Sequence, residues 1–299
     1  MSSLATAPSH TSPAGSHQAL RDIAVVVSRL PADLTSLTVA ASLARRYGAE
    51  LDVVQVLPLP LPVADAWSFV PDPACMEWYV ELREQAARQS VELQRRLDSL
   101  GVAGHVRVVE SFYDAPTGVA AAAARHADLS VIARPADAPA DASRAHGYFS
   151  SLLLESGRPV LMVPSTTEAS TLPPRHVVIA WADTSEAARA VHDAMPLLQT
   201  AETVDIVMVD PVENAIENAA TFGAALSAHL GRHGVTPRVI VDKSRGRPIS
   251  RVILDRASRA RAQLIVAGGY GHSRMREWVI GGTTRGLFLD SPIPVLFSH

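Results

Sequence analysis

The densest group of residues able to handle an anion is Ala267-Gly268-Gly269-Tyr270-Gly271-His272-Ser273-Arg274. Ten residues past Gly271 stand Gly281-Gly282-Thr283-Thr284-Arg285. Glycines at this density let a backbone approach a ligand closely and present successive N–H groups to it. A helix opening near Thr283 would turn its positive end to the same place. The hydroxyls of Thr283 and Thr284 suit phosphate oxygens, and His272 and Arg274 can add positive charge. A phosphate group is the guest that fits this chemistry. The alternative is that these glycines shape tight turns and meet no ligand. Spacing alone leaves both readings open.

Other chemistries lack their residues. The sequence has no nucleophile elbow, no Walker loop and no carboxylate pair beside a base. No general base is identifiable, so any hydrolysis would be slow and the protein is expected not to be an enzyme. One cysteine, Cys75, leaves no disulfide framework and no cysteine-based zinc site, and no metal site is expected.

Composition sets the class in which this chemistry must sit. The 299 residues are 47% hydrophobic and 19% charged, enough apolar material for a buried core. At about 150 residues per domain, that length suggests two domains. Lys and Arg number 27 and Asp and Glu 30, a formal charge of −3 that gives no bulk attraction to nucleic acid or anionic membrane. No apolar run approaches the ~18 residues that span a bilayer. The first residues lack the charged-then-apolar order of a signal peptide. The expectation is a cytoplasmic protein without a nucleic-acid or membrane partner.

The elements alternate. Residues 1–20 are small, polar and Pro-rich, and are expected to form a flexible tail. Ile23 to Val27 reads as a strand buried on both faces, followed by a helix from Thr35 to Tyr47 that Gly48 closes. Val53 to Leu57 is a second strand, Pro58 to Pro73 a Pro-rich loop, and Glu77 to Leu100 a long charged helix. Val106 to Val109, Leu129 to Ala133 and Val160 to Val163 complete the strands of a first half, with a helix from Gly118 to Arg125. The second half repeats the order, with strands at 177–181, 204–209, 238–241, 264–267 and 295–297, and a helix from Glu186 to Leu198. Ser156-Gly157-Arg158-Pro159-Val160-Leu161 aligns with Ser291-Pro292-Ile293-Pro294-Val295-Leu296, and Leu129 with Leu264, at one offset of 135 positions. That gap-free match indicates duplication. The domains expected are 21–164 and 175–299, joined by a linker over 165–174. Strands alternating with helices imply parallel, doubly wound sheets, whose ligands bind beyond the carboxyl ends of the strands.

Gly268-x-x-Gly271, nine residues, then Gly281 resembles the nucleotide loop of the universal stress protein family. Leu264-Ile265-Val266-Ala267 before it and Ser291-x-x-Pro294-Val295-Leu296 after it resemble that family too. The likeness covers both halves, so the chain from about residue 21 resembles a tandem member. The resemblance implies an α/β fold of two Rossmann-like, adenine nucleotide α-hydrolase-like domains. Each would be a five-stranded parallel sheet of order 3-2-1-4-5, paired about a pseudo-twofold axis through the last strands. It implies a non-enzymatic stress-response regulator that binds ATP or AMP, with Mg²⁺ accompanying the phosphates, and acts on an unidentified protein partner. Adenosine would lie near Ala180, Trp181, Ala182 and Val209. Phosphates would lie against Ala267, Gly268, Gly271, Gly281, Gly282 and Thr283, with His272, Arg274 and Thr284 beside them.

The chain also departs from that pattern. The family's acid directly after strand one is replaced by Ala182, and the acid comes one residue later as Asp183. The hydroxyl after the third motif glycine is displaced to Thr283 by Gly282. In the first half Ser28 holds the acid position, and Ala133, Ala136 and His146 replace the three glycines. Only Gly147 matches, opposite Gly282, while Pro135 and Pro139 remove backbone donors. The first half is therefore expected not to bind ATP at the equivalent site, and to supply a pairing surface. Two other readings stay open. One is a ligand-free interaction module with a vestigial pocket. The other is a pocket for another small molecule, where Trp181 and Ala182 favour an apolar or aromatic guest. Whether tandem chains pair further into a homodimer also stays open.

Overall fold

The computed structural model describes residues 20–28, 32–59, 73–135, 139–211, 216–270 and 282–299. The expected flexible tail up to residue 19 and most of the Pro58–Pro73 loop lie outside the described residues.

The aliphatic runs form strands. The first half holds β1 (Asp22–Val27), β2 (Glu50–Pro58), β3 (Gly104–Ser111), β4 (Leu129–Ala133) and β5 (Val160–Val163). The second holds β6 (His176–Ala180), β7 (Thr203–Val209), β8 (Pro237–Asp242), β9 (Leu264–Gly268) and β10 (Val295–Ser298). Between them run α1 (Asp33–Tyr47), α2 (Pro73–Ser99), α3 (Pro116–Ala124) and α4 (Pro139–Glu155), then α5 (Ser185–Asp193), α6 (Met195–Leu198), α7 (Ile216–Arg232), α8 (Ile249–Ala260) and α9 (Gly282–Asp290). The helix expected over 186–198 is broken into α5 and α6. Pro196 has no N–H to give the carbonyl four residues back, and its ring crowds that carbonyl. Helices α4, α7 and α8 were not picked out from the sequence.

The strands form one ten-stranded sheet in the order β3-β2-β1-β4-β5-β10-β9-β6-β7-β8. Each half thus has the expected 3-2-1-4-5 order, and the neighbours within each half are parallel. The halves meet through their last strands, β5 and β10, which pair antiparallel with Leu161 opposite Leu296. Alternate strand residues face opposite sides. Ile23, Val25, Leu264 and Val266 join a core with Leu97 of α2 and residues of α1, α5, α6 and α7. Ala24, Val26, Ile265 and Ala267 join the core beneath α3, α4, α8 and α9. Each core runs through both halves without a break.

Several features tie the halves together. Phe149 of α4 packs at 4.8 Å from Phe288 and 5.0 Å from Phe297, centroid to centroid. Arg134 donates from Nη1 to the Leu289 carbonyl at the end of α9. The segment expected as a linker lies down on α1: Leu172 is buried, and the Ser42 hydroxyl donates to its carbonyl at 2.8 Å. The Thr35 hydroxyl adds a bond to the Ser165 carbonyl at 3.4 Å, and Pro174 is buried as well.

Both halves also repeat an ion pair between their second and third strands. Asp52 accepts from Arg107 at 2.6 Å. Asp205, fully buried, accepts from Arg238 at 2.8 Å and meets His176 Nε2 at 3.0 Å.

Candidate functional site

A cavity of about 350 Å³ opens at the carboxyl ends of β6, β7 and β9. Ala180, Trp181 and Ala182 line it after β6, Val207 and Val209 on β7, and Ala267 and Gly268 on β9. Gly282, Thr283 and Thr284, the first turn of α9, close another side. The sequence-derived residues that fall on described positions thus converge on one space, with one exception. Asp183 stands apart: it is exposed at the tip of a turn closed by the Thr184 N–H on the Ala182 carbonyl, 2.8 Å. The one-residue shift has carried that carboxylate out of the cavity lining. Gly271, His272, Arg274 and Gly281 lie outside the described residues.

The cavity also contains residues that the sequence reading missed. Ile249 and Ile253, four apart on α8, add an apolar wall. Thr184 caps α5 by accepting from the Ala187 N–H at 3.3 Å, and it lines the cavity together with Glu186. The Glu186 carboxylate is held below its ordinary range by its own backbone N–H, against an opposing effect of burial. The Thr184 and Ser185 hydroxyls and the charge of His299 add to that hold. Glu186 is therefore ionised at neutral pH and puts a fixed acid in the cavity from which Asp183 is absent. The signal was Thr184-Ser185-Glu186 opening a helix just after a strand, a capping pattern.

The glycines divide into two kinds. A side chain at Gly268 would bring its Cβ to 2.7 Å from the Ala187 nitrogen and 2.8 Å from the Glu186 carbonyl carbon, so α5 already fills that space. A Cβ at Gly269 would reach Leu153 of α4 at 2.5 Å. Backbone packing thus requires Gly268, whereas at Gly269 the end of the Leu153 side chain would have to give way. Gly282 has nothing within 4 Å of its Cβ position and opens on the cavity. At 9 residues, α9 is long enough to present a positive N-terminal end there. Trp181 packs partly on the core, and its buried indole N–H has no partner among the described residues.

No protein-family model and no curated protein sequence matches the chain. Solved structures do. A universal stress protein from Archaeoglobus fulgidus DSM 4304 superposes with a TM-score of 0.71, at 17% identity, over 93% of this chain and 95% of its own. The chain has the fold of a tandem universal stress protein. A protein of unknown function from Pseudomonas aeruginosa PAO1 shares that fold, with a TM-score of 0.61 at 16% identity over 94% of this chain and 93% of its own. A shorter universal stress protein in complex with cAMP matches 49% of this chain and 98% of its own at 18% identity and a TM-score of 0.35, too loose a fit to place a ligand.

Within this tandem universal stress protein fold the two halves differ at the glycine motif. Gly147, opposite Gly282 by the repeat offset, is not a helix start: it lies in the middle of α4, which begins at Pro139. The helix thus runs over His146 and Gly147, the positions aligned with Gly281 and Gly282, and their amides are committed to helical bonds. Ala133 is buried in the core, and Ala136 lies outside the described residues. A cavity of about 420 Å³ remains beside Val27, Ser28 and Arg144, but Ser28 donates to the buried Asp33 at 3.2 Å.

Elsewhere, His229 and His233 form the sequence's one His-x-x-x-His pair, with rings 4.8 Å apart. No cluster of three metal-ligating side chains occurs among the described residues. Nor is any helix among them long and apolar enough to cross a membrane.

Burial, with the charge of Arg285 behind it, pushes the His146 imidazole below its ordinary 6.5. The unfolded chain therefore takes up this proton first as the pH falls. Stability held in full above 6.5 is expected to be lost as the pH drops through the lower folded-state value. His229 shifts the same way, chiefly by burial. Melting temperatures measured from about pH 7.5 down to about 5 should fall, and His146→Gln should make that slope shallower. An unchanged slope would place the titration on other groups.

Proposed function

We propose that the second half binds an adenine nucleotide, ATP or AMP, as a non-enzymatic, stress-responsive regulator. The observation that carries this reading is the single cavity shared by the ends of β6, β7 and β9 and the first turn of α9. Its apolar walls, Trp181, Val209, Ile249 and Ile253, suit a flat base. Glu186 offers an acceptor for the donors of a ribose or an exocyclic amine. The α9 terminus with Thr283 and Thr284 offers donors to phosphate. The open space beside Gly282 fits a group larger than a side chain. Mg²⁺ would ride on the phosphates, since Glu186 is the one carboxylate among the described lining residues. Nucleotide occupancy would set which surface a protein partner meets.

The ligand-free module draws support from Ala182 and from the exposure of Asp183. The two readings separate in one experiment. Protein purified without added nucleotide is denatured, and the released small molecules are weighed by mass spectrometry. ATP, ADP or AMP is expected at close to one per chain. If none is released, and titration shows no ATP binding tighter than about 1 mM, the nucleotide reading falls.

A further inference from the structure

We propose that the first half positions the second-half cavity through Tyr270, so that a ligand there senses both halves. Tyr270 leaves the end of β9 with φ +59, a backbone conformation unfavourable for a bulky residue. Something must hold it, and the holders come from α4 of the other half. Its hydroxyl lies 2.6 Å from Ser150 Oγ and 3.4 Å from His146 Nε2, and those two lie 3.2 Å from each other. Its ring stacks on Phe149 with centroids 6.1 Å apart. Burial raises the phenol's pKa, which keeps it protonated. The lowered imidazole of His146 stays neutral, leaving one ring nitrogen to accept from a hydroxyl.

The same residue reaches the cavity by two routes. Along the backbone, Tyr270 follows Gly269, whose N–H donates to the Ser298 carbonyl at 2.8 Å, and Gly268 lines the cavity. Through side chains, Tyr270 meets the His299 ring edge-on at 6.5 Å. His299 Nδ1 lies 3.1 Å from the carbonyl of Gly269, the neighbour of Gly268. Both routes end at Gly268 of the cavity lining. The first half has no counterpart, because the repeat places Pro135 opposite Tyr270 and Arg285 opposite Ser150. The contact is therefore made once, between α4 of the first half and the cavity of the second, and is not repeated across the seam.

The ligand readout rests on nucleotide binding, so the test has a second readout that does not. Ser150→Ala, Tyr270→Phe, the double variant and Ser150→Thr are compared with the native chain. Calorimetric ATP titration is run beside melting and hydrogen exchange of the Gly269 amide. Each single loss should weaken ATP binding about tenfold, the double no more than either single, and Ser150→Thr should recover most of it. The Gly269 amide should exchange about tenfold faster in both single variants. A purely structural hydrogen bond would lower the melting temperature and leave affinity within twofold; that result, in variants that still fold, overturns the proposal. If the native chain binds no ATP, the nucleotide reading falls, and amide exchange decides: acceleration supports positioning by the first half, and unchanged exchange overturns it.

Discussion

Gly282→Asp should abolish nucleotide binding while leaving the protein as stable as before, or slightly more so. The position begins α9, and nothing lies within 4 Å of its Cβ direction, so the side chain fits without displacing a neighbour. A carboxylate in the first turn of a helix contributes roughly 0.3–1 kcal/mol of stability. The same charge would face a ligand's phosphates. Two like charges about 4 Å apart at an effective dielectric of 20 repel by about 4 kcal/mol, enough to reduce affinity several-hundredfold. Gly282→Ala, which adds volume without charge, should stay within about tenfold of native affinity. Adenosine, lacking phosphates, should bind Gly282→Asp and native protein alike. Calorimetric titration with both ligands, beside a melting curve, measures all of this. Full retention of ATP affinity by Gly282→Asp would remove the α9 terminus from the site.

Gly268→Val should have the opposite signature, a large loss of stability. Its new Cβ would lie 2.7 Å from a backbone nitrogen and 2.8 Å from a backbone carbonyl carbon, atoms that can move only if α5 moves. Overpacking of a well-packed site costs about 1–3 kcal/mol, and a backbone clash belongs at or above the top of that range. For a chain of 299 residues, about 3 kcal/mol is a fall of roughly 5 °C in melting temperature. A shifted α5 would also carry Thr184 and Glu186 away from the cavity, so any residual folded protein should bind ligand poorly. Denaturant unfolding and thermal melting provide the measure. Native-like stability would show that α5 is not seated as described.

The strand positions were legible because strands buried on both faces appear as largely aliphatic runs, and Leu129 to Ala133 and Val160 to Val163 read to the residue, whereas the order of the strands in the sheet came only with the family resemblance. Turn and cap chemistry was legible where one residue decides it, as with Gly48 at φ +67. Helices α4, α7 and α8 were harder to read, although Gly157 at φ +71 and Gly234 at φ +80 follow α4 and α7 much as Gly48 follows α1. The glycine motif was ambiguous for a physical reason. A missing side chain makes room, but the sequence does not say for what. The same two-letter pattern, Gly-Gly, makes room for the chain's own helices at Gly268 and Gly269 and opens on the cavity at Gly282. The pairing of the last strands came with the family resemblance, but side-chain contacts between halves were invisible: Tyr270 and Ser150 stand 120 positions apart, and nothing local in either residue points to the other.

The antiparallel join of β5 to β10 within a single chain also bears on how such a molecule can change over generations. In a dimer of identical subunits every substitution is made twice, once on each side of the axis, so neither copy of a pocket can drift alone. Here the matched positions Arg134 and Gly269 do different work across the same seam: one reaches the Leu289 carbonyl, the other makes room for Leu153. Covalent linkage frees each half to be altered separately while the other keeps its chemistry. One side can then become a rigid frame and the other a responsive face, a division of labour closed to a symmetric pair.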